Sequence, residues 1–294
     1  MSDRKISELT ELTNVRSTLG FLPFADTSAT ETKKIALPNL PISDQALDHD
    51  VPFTVTVSGG TGTINNLATA NGFAYNSHLT DVYLGTKVTG IHSQAFYQNR
   101  NLTRINVPKG VTGAIGSSAF FYCDSLVGPI DFPEGVTSLG SQVFMLCDDL
   151  QGVSLPDSLT SLGSYAFYNC PNLVTANIPT GITTLEPMTF AGCRKLTNTT
   201  IPSGVTSIKN RAFQNCKAFT SITIPSTVTE LGGAAFSSCT GATTVNCLAT
   251  NAPTISLGYY GSVFGNVAAT ELHVPVGATN YGSTYQGLTV VADL

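Results

Sequence analysis

The sequence predicts a β-rich repeat solenoid with two short parallel strands and a short helical turn in each unit of about 23 residues. Three columns of identical residues predict it. Pro133, Pro156, Pro179, Pro202 and Pro225 stand 23 apart, and so do Phe144, Phe167, Phe190, Phe213 and Phe236, and Cys147, Cys170, Cys193, Cys216 and Cys239. With so short a period, a unit buries its apolar face only against the units before and after it.

Within the unit FTSITIPSTVTELGGAAF, the first strand points Ile222 and Ile224 inward and Thr223 outward. Pro225 follows where no further ladder donor is needed. Val228 to Leu231 forms the second strand, and Gly-x-x-Ala-Phe suits a 3₁₀ or single α turn. Towards the front, Pro108 opens a unit of 25 residues, with insertions near Gly113–Ala114 and Gly128–Pro129. Gly85 opens the unit before it, in which Asn99 takes the Cys slot. Phe73, Asn76 and Leu79 mark a degraded unit in front of that.

The chain divides into an N-terminal arm (1–44), a linker and front cap (45–62), the solenoid (63–247) and a C-terminal cap (248–294). The alternating segment Val51 to Val57 caps the front. At the back, Leu272, Val274 and Pro275 form one last strand, covered by Tyr281, Tyr285 and Val290–Val291. The arm has no 23-residue register, and its apolar residues are too few for a core of its own. Ile6, Leu9, Leu22, Phe24, Ile35 and Leu37 are therefore expected to dock it on a partner or on further copies of the chain.

Only 11% of the 294 residues are charged, 42% are hydrophobic, and the net charge is −5. The Lys and Arg residues are scattered, which argues against a nucleic-acid partner. No apolar run reaches the ~20 residues needed to insert across a bilayer. The opening MSDRKISELTEL is charged and lacks the apolar stretch of a secretory signal, so synthesis in the cytoplasm is expected.

Most conspicuous residues are expected to be structural. A 23-residue step sets thiols in a line, whereas zinc needs four converging ligands. The parallel side chains are also poorly aimed for disulfides. The cysteines, including Cys247 in an inward strand slot, are therefore expected to pack as small hydrophobes, with no metal and no cofactor. Thr89, Thr112, Thr137, Thr160, Thr183, Thr206 and Thr229 make a second column, suited to strand propensity and local hydroxyl bonds. No catalytic grouping emerges from spacing, and acids such as Asp131 and Glu230 are isolated, so an enzyme is not expected. The candidate binding surface is the outward strand row: Tyr83, Asn106, Asp131, Ser154, Asn177, Thr200, Thr223 and Asn246. Its short polar groups suit a glycan or a protein loop. Truncating Asn177 is expected to leave stability nearly unchanged.

The repeats resemble the BspA-like leucine-rich-repeat family, whose units read IPxxVTxIGxxAFxxCxxLTxI. Here Ile201–Pro202, Val205–Thr206, Ile208, Ala212–Phe213 and Cys216 carry the pattern. The resemblance implies a leucine-rich-repeat fold, a cell-surface setting and adhesion, and brings no catalytic residues. The arm resembles the opening segment of phage tail-fibre and other virion structural proteins. It matches in Lys5-Ile6-Ser7-Glu8-Leu9, in Leu22-Pro23-Phe24-Ala25-Asp26, and in Thr32-Lys33-Lys34-Ile35-Ala36-Leu37. That resemblance implies a virion fibre, spike or capsid decoration: a homotrimer docked by its arm on other virion proteins, its repeats projecting toward the host surface. The alternative is a cellular surface adhesin.

Overall fold

In a computed structural model, the structure describes residues 73–86, 88–197, 199–256 and 260–294. It also describes the strand backbones Ala25–Thr27, Thr30–Ile35, Phe53–Val57 and Gly62–Ile64.

Each coil has three sides. The first strands stack in parallel into one row, in which Thr223 pairs with Asn246 and Val153 with Ile130. The second strands stack into another, in which Ser138 pairs with Ser161 and Ser207 with Glu230. Partners lie one repeat apart, so like side chains fall into register, and the inward ones make one continuous core. Phe73, Phe96, Phe120, Phe144, Phe167, Phe190, Phe213, Phe236 and Phe264 run through it as a stack. Adjacent ring centroids are 5.1–6.0 Å apart and the rings tilt by no more than 17°.

The third side corrects the sequence expectation: the Gly-x-x-Ala-Phe stretch contains no helix but a chain of turns. Every fourth residue is left-handed, as at Gln94 (φ 58°) and Gln98 (φ 57°), Tyr165 (60°) and Asn169 (52°), Arg211 (57°) and Asn215 (63°). Phe96 N–H donates to Ala119 O of the next coil at 2.8 Å, and Tyr97 N–H returns to Gln94 O at 3.1 Å. A helix would keep both bonds inside the coil. The turns instead give every second donor to the neighbour, so this side too is tied coil to coil.

At the front, Thr30–Ile35 pairs in parallel with Phe53–Val57, and that strand with Leu79–Leu84, extending the first row. Ala25–Thr27 folds back antiparallel on Thr30–Ile35. Of the arm's docking candidates, Ile35 lies in a strand described as backbone, and Ile6, Leu9, Leu22, Phe24 and Leu37 lie outside the described residues. At the back, the Phe column runs past 247 to Phe264, and two parallel strands follow, Glu271–Val274 and Leu288–Ala292. Tyr281 Oη donates to Ala249 O at 2.7 Å and Tyr285 Oη to Pro253 O at 2.6 Å, satisfying both phenols over the last coils. Among the described residues, no helix is long and apolar enough to cross a membrane.

Candidate functional site

The thiol column is structural in detail. Cys123, Cys147, Cys170, Cys193, Cys216 and Cys239 are fully buried, and each Sγ donates to the carbonyl of the Phe one coil earlier, at 3.0–3.3 Å. Burial pushes these thiols up, Cys193 and Cys239 to about 12. At the front, Asn99 Oδ1 accepts from Asn76 N–H at 2.8 Å in the same column. All seven cysteines are free thiols. Among the described residues, no group of three His, Cys, Asp or Glu side chains converges on a metal position.

The threonine column is likewise engaged along the stack. The hydroxyls of Thr160, Thr206 and Thr229 donate to the carbonyls of Thr137, Thr183 and Thr206, at 3.2, 3.2 and 3.3 Å. Thr254 extends the column, donating to Thr229 O at 2.9 Å.

The outward row is a real surface. Tyr83, Asn106, Asp131, Ser154, Asn177, Thr200 and Thr223 are exposed and Asn246 is half-buried. Registration is direct where strands pair: Asp131 opposes Ser154, Thr223 opposes Asn246, and Asn246 opposes His273, which the sequence reading did not include. His273 Nδ1 lies 3.0 Å from the Asp293 carboxylate.

Two members of the row also hold the scaffold. Asn177 Oδ1 accepts from Leu155 N–H at 2.9 Å, and its Nδ2 donates to Leu155 O at 2.8 Å. Asn106 bonds both backbone groups of Leu84 in the same way, at 2.6 and 2.9 Å. The expectation that Asn177 is dispensable for stability is corrected by this geometry, because removing the amide strands two backbone groups of a buried residue.

What the sequence reading missed is that, among the described residues, the first-strand row is broken twice. One sheet ends at Arg104–Ile105 and the next begins at Ile130–Asp131; that one ends at Thr175–Ala176, and the ladder resumes at Ser221–Ile224. Each break opens a groove on the outward face. The first, about 230 Å³, is bordered by Tyr83, Arg104, Asn106 and Pro129, with the Arg104 guanidinium held 2.5 Å from Asp81. The second, about 400 Å³, has a floor of Val174, Ala176, Ile178 and Pro202 and a polar rim that includes Thr175, Asn177, Thr199 and Thr200. Among the described residues, no charged side chain lines it.

The second groove has a readable cause. The inward slot filled by Val82, Ile105, Ile130, Val153, Ile222 and Val245 holds only Ala176 and Thr199 in these two coils. A small side chain and then a hydroxyl replace branched aliphatics, so the inward slot is least filled where the ladder is interrupted and the groove lies.

Six copies of a BspA type leucine rich repeat region match residues 60–127 and 113–243, more than half of the chain. Among solved structures, the chain is similar to a leucine rich cell surface protein from Faecalibacterium prausnitzii, at 31% identity and a TM-score of 0.46. That match covers 66% of this chain and 59% of the other, so the chain spans under two thirds of that protein's length. It is also similar to the leucine rich repeat protein of T. pallidum, at 25% identity and a TM-score of 0.49, covering 68% of this chain and 88% of that one. No curated protein sequence matches the chain. The repeat match, on coils whose Phe, Cys and aliphatic columns are all in register, places this chain in the BspA type leucine-rich-repeat family.

Proposed function

We propose that the solenoid is an outward-displayed recognition module, and that its first-strand face binds an uncharged, extended ligand on a surface, a glycan or a protein loop. The observation that carries this reading is the pair of grooves at the two breaks of one exposed row. The coils of Asn106 and Asn177 are three steps apart, about 15 Å at ~4.8 Å per parallel step. A short oligosaccharide or a stretch of extended peptide spans that distance. The hydroxyls and amide of the larger groove offer hydrogen bonds without charge, and its aliphatic floor offers contact to the apolar face of a sugar or side chain. In this reading the protein binds and does not catalyse.

The test is an array of surface glycans and extracellular matrix proteins, probed with the wild-type chain, Thr200→Trp and Tyr83→Ala. Thr200 and Tyr83 are both exposed, so neither change disturbs the core. Binding should weaken at least about tenfold in one or both variants at unchanged melting temperature. Wild-type binding by both variants sinks the proposal.

A finer reading concerns where the module is displayed. The arm segments Lys5 to Leu9, Leu22 to Asp26 and Thr32 to Leu37, with their likeness to virion fibres, favour attachment to a virus particle, as a homotrimer held by the arm. Display on a cell, as an adhesin of the same family, is the alternative. A chain beginning near Asp50 should fail to enter particles that the full chain enters. Equal incorporation of both removes the virion reading and leaves the recognition face untouched.

A further inference from the structure

The corner between the Cys column and the first strands carries a charge pattern that the recognition face does not use. The residue after the Cys slot reads, coil by coil, Arg100, Asp124, Asp148, Pro171, Arg194, Lys217, Thr240. The next reads Asn101, Ser125, Asp149, Asn172, Lys195, Ala218, Gly241. The corner is one stacked column: Asp149 N–H donates to Asp124 O at 2.9 Å, Lys195 N–H to Pro171 O at 3.2 Å, and Ala218 N–H to Arg194 O at 3.1 Å. Asp148, Asp149, Arg194, Lys195 and Lys217 are exposed and Asp124 is half-buried.

Within one chain this arrangement is unfavourable. Stacked neighbours of opposite sign would attract, but from Asp124 onward acids stack on acids and bases on bases, and Arg100 in front of them lies over the Tyr122 ring. Burial, and then the carboxylates of Asp124 and Asp149, raise the pKa of Asp148. Among the described residues, none of these six charges makes an ion pair within 4 Å.

The pattern is, however, antisymmetric about the coil of Pro171 and Asn172. One step to the front are two acids and one step to the back two bases; two steps away stand Asp124 and Lys217. We infer that this corner is a self-association surface, on which a second copy of the chain lies antiparallel about a two-fold axis at Pro171. That axis sets Asp148 and Asp149 against the other copy's Arg194 and Lys195, and Asp124 against its Lys217. The adjoining turn side obeys the same axis. Phe121, Tyr122, Met145 and Leu146 in front would face Gln214, Asn215, Ala191 and Gly192 behind, large residues against small or polar ones. An isologous contact requires a patch complementary to itself, and this one is so in charge and, at Met145 and Leu146 against Ala191 and Gly192, in size.

Five coils give a strip about 20 Å long at ~4.8 Å per coil. That is short beside the roughly 800 Å² per partner of a standard interface, so the association is weak and salt-sensitive. The test is sedimentation of the full chain at about 0.01 M and about 1 M salt, where charges act over ~30 Å and ~3 Å. The mass at low salt should be twice that at high salt. Asp148→Lys with Asp149→Lys should hold the mass at its high-salt value, and so should Arg194→Glu with Lys195→Glu. Mixing these two variants makes every opposed pair opposite in sign again, so the doubled mass should return as a species holding both variants. A mass independent of salt overturns the inference, and so does low-salt doubling that survives both reversals or a mixture that stays undoubled.

Discussion

Replacing Phe190 by alanine is expected to destabilise the solenoid by about 3–5 kcal/mol, as for other buried Phe truncations. The ring is fully buried and stacks on Phe167 at 5.2 Å and on Phe213 at 5.4 Å. Its loss removes two face contacts, each worth roughly 0.5–1.5 kcal/mol beyond buried area, and leaves a cavity in the middle of the column. In a quasi-one-dimensional fold stability is a sum over coils and their interfaces, so a central gap also weakens the coupling of the two halves. Urea unfolding followed by circular dichroism should show a lower and broader transition. Among the described residues Phe73 stacks only on Phe96, at 5.3 Å, so Phe73→Ala should cost less. Asn177→Ala, which frees the Leu155 backbone but opens no cavity, should cost about 1–2 kcal/mol. Equal costs for Phe190 and Asn177 would mean that the aromatic column is not the main source of cohesion.

That ranking follows from how much of the molecule is legible in residue identities. The Phe and Cys columns are visible because identical residues at a fixed step must meet when coils stack. The turn side is not. Gln94, Tyr165 and Arg211 occupy left-handed positions, yet none is a residue type that announces one, and the bond that decides turn over helix goes to another coil. Phe264 escaped the register because 28 residues, not 23, separate it from Phe236. The outward row was legible from strand alternation, but the grooves on it were not. The signal of the second lay in the inward row, where Ala176 and Thr199 interrupt a run of Val and Ile, and its meaning depends on the neighbouring coils. Asn106 and Asn177 could not be assigned from spacing either, since a strand-face amide looks the same whether it meets solvent or the coil before it.

The thiol column makes the fold alkali-labile. Burial raises the six column thiols above their ordinary range, Cys193 and Cys239 to about 12, because a thiolate in that core would lose its hydration. The unfolded chain has no such restraint, and its thiols ionise near pH 8.5. For an acid whose folded pKa lies above its unfolded one, stability is fully present below the unfolded pKa. It is lost as pH climbs from there toward the folded pKa, because only the unfolded state releases its protons. By about pH 10 each thiol has given up roughly 2 kcal/mol, and six together about 12, comparable with the whole stability of an ordinary domain. The urea midpoint should therefore be flat from about pH 7 to 8 and collapse between about pH 9 and 10.5. The control separates ionisation from packing. Replacing Cys170, Cys193 and Cys216 by alanine lowers stability at neutral pH, yet should cut the slope with pH by somewhat less than half, since three column thiols and the buried Cys247 remain. An unchanged slope would assign the alkaline transition to other groups, such as the buried phenol of Tyr281, whose pKa burial also raises. A midpoint indifferent to pH through about 10.5 would require the thiols to ionise in the folded state, and a sealed column bonded to Phe carbonyls does not permit that.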